Sequence, residues 1–280
     1  DTQVVSDEAG AGVRIPEEYR DLTVPGDELL AMLGRGGMGV VFLARQERLA
    51  RLVAVKMIPS GNRDEEFLKR LQREALTLAN LSHPNIVSCY DILQEKDATF
   101  FIMEYVPGRI SVRDLIRRFG PVPEPEALLI AEQAAKGLAH AHEKGVIHRD
   151  VKPANLLVYS DSSVPVTNRR TLLTAPGTRI MLVDFGLAKG GRLTPELVEV
   201  TYSGQIMGSP AYMAPEQALG KQVDFRVDVY ALGTSLYHMV TGKTPYDADT
   251  PAESINRKLA ADLPDPRSEG ADLSPETADL

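Results

Sequence analysis

Short apolar runs separated by glycine and charged residues occupy the first hundred positions of the chain. Such runs surround a glycine cluster within residues 29–58, and two more cover residues 87–93 and 99–106. Runs of this length bounded by turn residues indicate strands. Residues 64–81 differ, because their apolar side chains recur every three or four positions, which predicts one helix.

The spacing of apolar positions becomes helical after about residue 107. Residues 127–143 carry a strongly amphipathic pattern, and residues 227–241 are largely apolar, which predicts a buried helix. Residues 160–178, rich in serine, threonine and proline, predict an inserted surface loop. The change of pattern predicts a flexible lead-in and two domains, at residues 1–25, 26–106 and 107–280.

Composition narrows the function classes. The net charge of −8 argues against a nucleic-acid-binding face, which needs concentrated basic residues. The single cysteine, Cys89, excludes an internal disulfide and suits a reducing compartment, so we expect a cytoplasmic domain. No apolar run approaches the length of a membrane span, so this segment itself is expected to make no membrane contact. Because the chain starts at Asp1, we interpret it as a piece of a longer protein whose other parts could carry a membrane anchor.

A glycine-rich motif opens the strand region. Residues 34–41 read Gly-Arg-Gly-Gly-Met-Gly-Val-Val, which fits G-x-G-x-x-G-x-V. Glycines let the backbone turn sharply and bring its N–H groups against phosphate oxygens. The motif alone is equally compatible with a plain glycine-rich hairpin, and it also occurs in dinucleotide-binding folds, where a helix follows it. Here a predicted strand follows instead.

A lysine on the next predicted strand adds to this motif. In the segment 53–56, Val-Ala-Val-Lys, alternation places Ala54 and Lys56 on one face of the strand and the valines on the other. A lysine beside a small alanine can reach phosphates held by the glycine-rich segment. A single strand lysine is more often a solvated surface charge, and so is a helical acid such as Glu74, the natural partner of Lys56. Both assignments therefore depend on the rest of the chain.

Two acidic motifs follow in the second predicted domain. Asp150 and Asn155 lie five residues apart in the segment His-Arg-Asp-Val-Lys-Pro-Ala-Asn at 148–155. A carboxylate there can orient a hydroxyl and take its proton, and an amide oxygen can bind Mg²⁺, which prefers oxygen ligands. Asp184 follows an apolar strand and begins Asp-Phe-Gly, a position suited to a metal that bridges phosphates. Each triplet is common by chance, but the whole set in this order is not.

These motifs together resemble those of protein kinases, most closely the bacterial eukaryotic-like (Hanks-type) serine/threonine kinases. The resemblance runs from about residue 29 to the end of the chain, and it includes His-Pro-Asn-Ile-Val at 83–87 and Ala-Pro-Glu at 214–216. It implies an α+β, two-lobed fold, with an antiparallel sheet and one helix in the N-lobe and a mainly helical C-lobe. It also implies transfer of the γ-phosphoryl group of ATP to serine or threonine hydroxyls of proteins, in bacterial signalling.

The resemblance implies a role for each matching position. Asp150 would be the catalytic base, and Lys152 would steady the γ-phosphate, as is typical of serine/threonine specificity. Lys56 would bind the α- and β-phosphates and pair with Glu74. The Mg²⁺ ligands would be Asn155 and Asp184. The phosphate loop would consist of Gly34, Arg35, Gly36, Gly37, Met38 and Gly39. The adenine pocket and hinge would consist of Leu33, Val41, Ala54, Met103, Glu104, Val106 and Leu157.

The resemblance also implies bracing and regulatory residues. Asp228 would brace the catalytic loop from a helix. Arg149 would pair with a phosphate on the activation segment, which runs from residue 184 to residue 216. Thr201 and Ser203 match the usual phosphorylation sites of the bacterial relatives, so self-phosphorylation is expected there. The alternative is that these hydroxyls are ordinary polar loop residues.

Three features depart from the family pattern. The segment 156–183 is longer than usual, and a tolerated surface insertion is the favoured interpretation. Ser209 replaces the commoner threonine but keeps the hydroxyl. Cys89 stands where the family usually has a leucine, in an internal stack with Leu78, His148 and Phe185.

The end of the chain predicts an incomplete C-lobe. Residues 252–261 predict a helix, and Ser274 and Pro275 read as the N-cap and first residue of another. The family continues into further helices, one of which carries an arginine that pairs with the glutamate of Ala-Pro-Glu, here Glu216. Arg267 matches that arginine poorly, so we expect Glu216 to lack its family partner.

Two other functions stay open from the sequence. A pseudokinase would bind nucleotide without chemistry, although all the residues needed for chemistry are present, namely Lys56, Asp150, Asn155 and Asp184. A small-molecule phosphotransferase would share the metal ligands. Lys152 and an activation segment that ends in Ala-Pro-Glu favour protein substrates instead.

Overall fold

The computed structural model describes eight stretches of the chain and divides it into two compact units. The described residues are 4–5, 12–36, 39–59, 78–95, 98–108, 110–160, 169–185 and 210–279. Unit 1 covers residues 1–109, and unit 2 covers residues 110–280. Within the described stretches, none of the helices has the length and apolar content needed to cross a lipid bilayer.

The strands of unit 1 form one antiparallel sheet. In chain order they are β1 (Val4–Val5), β2 (Gly12–Val13), β3 (Asp27–Gly36), β4 (Gly39–Gln46), β5 (Arg51–Pro59), β6 (Cys89–Gln94) and β7 (Ala98–Glu104). They lie side by side in the order β1-β2-β3-β4-β5-β7-β6. The predicted strands within residues 29–58 and near 87–93 and 99–106 are confirmed. The helix predicted over residues 64–81 lies mostly outside the described stretches.

Alternate residues of the central strands build the core of unit 1. Val53 and Val55 of β5 are completely buried on one face of the sheet. Neighbouring strands add to the same cluster the side chains of Val40, Phe42, Ala44, Phe100 and Ile102. The period of two along each strand therefore separates a core face from a second face that carries other chemistry.

Residues that precede β3 pack on this core. Ile15, Tyr19 and Leu22 are partly buried against it. The Tyr19 ring meets the Phe42 ring edge-on, with centroids 5.4 Å apart and planes at 74°. This part of the predicted lead-in is therefore packed on the sheet of unit 1. Its apolar side chains are scattered among proline and charged residues and show no local pattern. They become buried against a strand that is distant in the sequence, so the sequence around them does not predict this packing.

Unit 2 is mainly helical. Its helices are α1 (Val112–Phe119), α2 (Glu124–Glu143), α3 (Arg169–Thr174), α4 (Pro215–Ala218), α5 (Arg226–Thr241), α6 (Pro251–Ala260) and α7 (Pro275–Ala278). A small antiparallel sheet has the order β10-β9-β8 and consists of β8 (Ile110–Ser111), β9 (Leu156–Tyr159) and β10 (Arg179–Leu182). The helices predicted at 127–143, 227–241 and 252–261 are confirmed as α2, α5 and α6.

The last helix begins as its sequence predicts. Ser274 Oγ accepts the N–H of Thr277 at 3.3 Å, and Pro275 occupies the first helical position. The N–H of Ser274 also donates to the Glu124 carboxylate at 3.1 Å. Since Glu124 is the first residue of α2, this bond ties the beginning of α7 to the beginning of α2.

The inserted segment is partly helical and packs on unit 2. Leu172 and Leu173 of α3 have only 4% and 2% of their surface exposed. Arg169 Nη1 donates to the carbonyl oxygens of Gly120 and Pro121 at 3.1 and 2.8 Å, just beyond the end of α1, where a positive charge is favoured. The expected surface loop over residues 160–178 is therefore wrong for α3. A pair of leucines in a polar segment has no periodic pattern that would predict a buried helix. The two leucines are nevertheless buried against an apolar surface formed by residues distant in the sequence.

Leu173→Ala tests whether the insertion belongs to the core. Removal of a buried leucine side chain should lower the free energy of unfolding by about 2–5 kcal/mol. The matched control is Leu263→Ala. Leu263 is 59% exposed, so its truncation should change stability by less than about 0.5 kcal/mol. Urea unfolding followed by circular dichroism measures both variants, and equal midpoints would contradict a packed insertion.

Candidate active site

One face of the unit 1 sheet collects residues predicted for nucleotide binding. Val41 of β4 pairs with Lys56 of β5, and Ala54 of β5 pairs with Met103 of β7. Directly opposed residues share a face of a sheet, and so do residues two apart on one strand. These four side chains therefore lie on the face opposite the buried valines of β5. The alternation predicted for Ala54 and Lys56 is confirmed, and Lys56 is only 5% exposed.

The glycine-rich motif forms the hairpin between β3 and β4. Gly36 pairs with Gly39 across the turn. A β-carbon at Gly39 would lie 2.0 Å from the carbonyl oxygen of Met57, so only glycine lets β4 approach β5 at this point. A β-carbon at Gly34 or Gly36 would enter open space, as expected of a loop that leaves room for a ligand. Two members of the motif lie outside the described residues, namely Gly37 and Met38.

The other residues predicted for the adenine pocket lie on or next to strands. Leu33 is the extra residue of a β-bulge in β3. Glu104, the last residue of β7, accepts the N–H of Ser88 through its carboxylate at 3.2 Å, and its own N–H donates to the Ser88 carbonyl at 2.9 Å. Val106 is buried in unit 1. Leu157 lies on β9 of unit 2.

Three further predicted residues are Arg35 and Glu74, expected at the nucleotide site, and Cys89, expected in an internal stack. Arg35 forms an exposed ion pair of 2.7 Å with Glu18. Cys89 begins β6, and its Sγ lies 3.7 Å from the carbonyl oxygen of Asp91. Burial raises the pKa of the Cys89 thiol to about 11, so it stays a protonated, unreactive side chain at neutral pH. Glu74, the predicted partner of the strand lysine, lies outside the described residues.

A buried carboxylate on α5 fixes the backbone of the predicted catalytic loop. Asp228 has no exposed surface, and its two oxygens accept the N–H of His148 at 2.8 Å and of Arg149 at 2.7 Å. His142, near the end of α2, contacts the same carboxylate through Nε2 at 2.8 Å. Arg149 has a φ of +62°, which non-glycine residues adopt rarely. The predicted bracing by Asp228 is confirmed, while the contribution of His142 is not indicated by the sequence.

The His148 ring links this loop to the segment that follows β10. The ring is completely buried; Nδ1 accepts the N–H of Asp150 at 3.3 Å, and Nε2 lies 3.0 Å from the carbonyl oxygen of Val183. A carbonyl oxygen only accepts, so Nε2 carries the proton and the ring is neutral. Burial lowers the pKa of His148, even though nearby carboxylates oppose the shift, in agreement with a neutral ring. The ring also packs on Phe185, with centroids 4.4 Å apart.

The Asp150 carboxylate is oriented by two side chains of its own loop. Lys152 Nζ donates to Oδ2 at 2.8 Å, and Asn155 Nδ2 donates to Oδ2 at 3.1 Å. Asn155 Nδ2 also donates to the backbone carbonyl of Asp150 at 2.8 Å. Because the amide nitrogen of Asn155 is directed at Asp150, its amide oxygen points elsewhere and suits a cation.

The β9–β10 hairpin brings Asn155 close to Asp184 along the backbone. Asn155 immediately precedes β9, and its carbonyl accepts the N–H of Val183 at 3.0 Å. Asp184 is the next residue and has a φ of +60°. The two predicted metal ligands therefore lie close together along the backbone, and both side chains carry oxygen atoms of the kind that Mg²⁺ prefers. The insertion at 160–178 joins the opposite end of this hairpin, so its length leaves the acidic end undisturbed.

Gln217 links the Ala-Pro-Glu segment to the catalytic loop. It is 8% exposed, its Oε1 accepts the N–H of Ala214 at 3.0 Å, and its Nε2 donates to the carbonyl of Arg149 at 3.5 Å. The sequence gives no signal for this role, since a glutamine in a short helix is usually solvated.

The predicted lack of a partner for Glu216 stays a prediction. Within the described stretches, no cation forms an ion pair with the Glu216 carboxylate. Arg267 forms an ion pair of 2.8 Å with Asp265 instead. This agrees with the poor match of Arg267 to the family arginine.

Unit 1 is an antiparallel sheet with a glycine-rich hairpin and a buried lysine, and unit 2 is mainly helical and carries a braced acidic loop. Together these features define the two-lobed kinase fold. The chain belongs to the protein kinase family, whose "Protein kinase domain" pattern matches residues 28–279. Members of this family use ATP and a divalent metal.

Several bacterial proteins are similar to this chain. It is 40% identical over 225 residues to the probable serine/threonine-protein kinase CPE1738 of Clostridium perfringens, and 36% identical over 238 residues to the serine/threonine-protein kinase PrkC of Bacillus subtilis. It is 38% identical over 250 residues to the serine/threonine-protein kinase PknB of Mycobacterium leprae. These matches cover 80%, 85% and 87% of this chain, but 30%, 34% and 37% of the relatives. The chain thus spans about a third of their length, and the predicted relation to bacterial Hanks-type kinases is confirmed.

Asp228→Asn tests whether the catalytic loop depends on the buried carboxylate. The amide would replace one acceptor by a donor that faces a backbone N–H or the His142 ring, so a charge-assisted hydrogen bond is lost. We expect the free energy of unfolding to fall by about 2–4 kcal/mol. The control is Asp224→Asn, which removes an exposed ion pair with Arg226 just before the same helix and should leave the melting temperature unchanged. Calorimetry compares the two, and equal melting temperatures would refute the dependence.

Proposed function

We propose that this domain transfers the γ-phosphoryl group of Mg-ATP to serine or threonine hydroxyls of protein substrates. The observation that carries the proposal is the Asp150 carboxylate, which Lys152 and Asn155 orient on a loop held by Asp228. Family membership supports the use of ATP with a divalent metal, and the names of the bacterial relatives support serine/threonine acceptors. The activity of the longer protein is part of the same proposal.

Asp150 is proposed as the base that orients the acceptor hydroxyl and takes its proton. A general base acts only within hydrogen-bond reach of the proton that it removes, so its orientation matters as much as its basicity. Lys152, whose ammonium lies 2.8 Å from Asp150 Oδ2, is proposed to contact the γ-phosphate. One ammonium between base and phosphate would hold the two reactants together, and positioning of this kind supplies much of phosphoryl-transfer catalysis.

Asn155 and Asp184 are proposed as the ligands of Mg²⁺. The hydrogen bond from Val183 N–H to the Asn155 carbonyl keeps the two residues adjacent, and the amide nitrogen of Asn155 is already engaged by Asp150. When bound, the ion would neutralise charge on the phosphates. The chain's own contribution is to present two oxygen ligands from a fixed hairpin end.

Lys56 is proposed to bind the α- and β-phosphates, and the glycine-rich hairpin to cover them. The lysine is only 5% exposed, and an ammonium in a poorly solvated place attracts phosphate more strongly than one in water. The residues proposed to surround adenine are Leu33, Val41, Ala54, Met103, Glu104, Val106 and Leu157. Since ATP is a cytoplasmic metabolite, we also propose that the domain works in the cytoplasm.

Asp150→Asn should keep ATP binding and lower phosphoryl transfer by about 10²–10⁴-fold, because asparagine keeps the shape but cannot take a proton. Lys56→Met should also lose turnover, through the loss of a phosphate contact. Labelled ATP with a generic basic protein substrate measures transfer, and Asp262→Asn, an exposed acid of unit 2, is the control.

Three outcomes of this assay would contradict the proposal. Near-normal turnover by Asp150→Asn would exclude Asp150 as the base. ATP binding by the parent without any transfer would identify a pseudokinase. Transfer to small molecules but not to protein would identify a small-molecule phosphotransferase.

Self-phosphorylation at Thr201 or Ser203 is proposed to activate the domain; both residues lie outside the described stretches. A phosphate adds nearly two negative charges and three strong acceptors, which can order a segment through an arginine. Arg149 is the proposed arginine, because it directly precedes Asp150 and its backbone is held by Asp228.

Incubation with Mg-ATP should place phosphate on Thr201 or Ser203, as measured by mass spectrometry. The double variant Thr201→Ala, Ser203→Ala should lose most of its activity toward protein substrates, whereas Thr194→Ala, a hydroxyl control in the same segment, should keep it. A double variant as active as the parent would show that these hydroxyls are not a switch.

A further inference from the structure

Lys258 of α6 is a buried lysine whose contacts the proposed chemistry does not use. Only 5% of its surface is exposed. Its ammonium donates to the carbonyl oxygens of Pro210 at 2.6 Å and Ala211 at 3.2 Å, and also to that of Met213. These three carbonyls belong to one short segment, residues 210–213, which leads directly into Ala-Pro-Glu.

The ammonium is satisfied by backbone alone. An ammonium has three N–H donors, and here three carbonyl oxygens converge on it. In the described part of the chain, no carboxylate lies within ion-pair distance of Lys258 Nζ, and the Tyr230 ring lies 5.6 Å away. Burial lowers the pKa of Lys258 to about 8, so the group is still mainly charged at neutral pH. Lys243, by contrast, has a side chain that is 63% exposed and pairs with Glu269.

The segment 210–213 is also tied to the catalytic loop. Tyr212 shares a hydrogen bond of 2.6 Å with His238 of α5. Gln217 accepts the N–H of Ala214 and reaches the carbonyl of Arg149, the residue before the proposed base. Lys258 therefore holds the backbone segment that leads into Ala214, and Gln217 joins Ala214 to the loop that carries Asp150.

We propose that Lys258 is a positioning residue for the protein substrate: its ammonium sets the backbone of residues 210–213, against which the acceptor polypeptide binds. The inference rests on the proposed function, in which the segment that ends in Ala-Pro-Glu serves protein substrates. Among the described residues, the Lys258 ammonium contacts this segment and the Tyr230 ring, and none of these is a residue proposed for nucleotide binding.

Removal of the ammonium would take this donor from three converging carbonyl oxygens, and only that of Pro210 would keep another described donor, the N–H of Met213 at 3.3 Å. Buried acceptors without partners are unfavourable, so the segment would turn its carbonyls toward water and lose its shape. Arginine can donate to several carbonyls but has a longer, planar group, so it should restore the shape only in part. The loss should weaken recognition of a protein acceptor and leave the ATP site as it was.

The experiment compares Lys258→Met, Lys258→Arg and the control Lys243→Met with the parent protein. The KM for a protein substrate is measured at saturating Mg-ATP, and the KM for ATP at saturating substrate. Slow hydrolysis of ATP by water is measured without substrate. Lys258→Met should raise the KM for protein by about tenfold to a hundredfold, while the KM for ATP and the hydrolysis rate stay within about twofold. Lys258→Arg should lie between, and Lys243→Met should match the parent.

Two results would overturn the inference. An unchanged KM for protein in Lys258→Met would exclude positioning, and equal losses in protein transfer, ATP affinity and hydrolysis would show a general structural role. If Lys258→Met does not fold, Lys258→Gln, which keeps two donors, replaces it, and a parent-like KM for protein in that variant overturns the inference as well. A parent that hydrolyses ATP without phosphorylating protein contradicts the proposed function itself, which separates that failure from this one.

Discussion

The catalytic loop depends on one buried charge, the carboxylate of Asp228. An isolated carboxylate would be very costly to bury, and this one is tolerated because backbone and side-chain donors surround it. Two of those donors are main-chain N–H groups, so the carboxylate specifies the backbone of His148 and Arg149 whatever their side chains do. It also joins α5 to α2 through His142. The loop is thereby fixed to two helices before any ligand is present.

The neutral ring of His148 connects the catalytic loop to the β9–β10 hairpin. His148 receives its backbone position from Asp228 and directs its Nε2 proton at the Val183 carbonyl, while Val183 in turn binds Asn155. The proposed base and Asn155 thus belong to one hydrogen-bonded network within unit 2, and Asp184 directly follows Val183, a member of that network. The network closes at one end of the β9–β10 hairpin. The insertion at residues 160–178 joins the other end of the hairpin. It forms α3 and contributes buried side chains to the core of unit 2.

Features decided by neighbouring residues could be predicted from the sequence. The alternation at 53–56 gave the correct faces of β5, and Ser274 with Pro275 gave the correct start of α7. Features decided by distant partners could not. His142 and Asp228 lie 86 positions apart, and Lys258 meets carbonyls more than 40 positions earlier. The packing of Leu172 and Leu173 has the same origin, since neither residue shows locally which surface it covers.

The proposed roles of the site residues come from the family, whereas their geometry comes from the structure. The motifs that contain Asp150, Asn155 and Asp184 take their meaning from the family, and the structure adds how the chain holds these residues. Sequence could state that these residues occur in a certain order. It could not state that one amide nitrogen orients the proposed base while the oxygen of the same amide faces away from it.

The glycine-rich hairpin shows that one residue type can be required for unrelated reasons within a few positions. At Gly39 the chain itself forbids a side chain, because the Met57 carbonyl already occupies the place of a β-carbon. At Gly34 and Gly36 the folded chain leaves the place open. Substitutions in this short motif therefore fall into two kinds: those that the polypeptide rejects while it folds, and those that it accepts until something has to be bound. Tolerance at the second kind of position would report on the occupant of the hairpin, and not on the sheet beneath it.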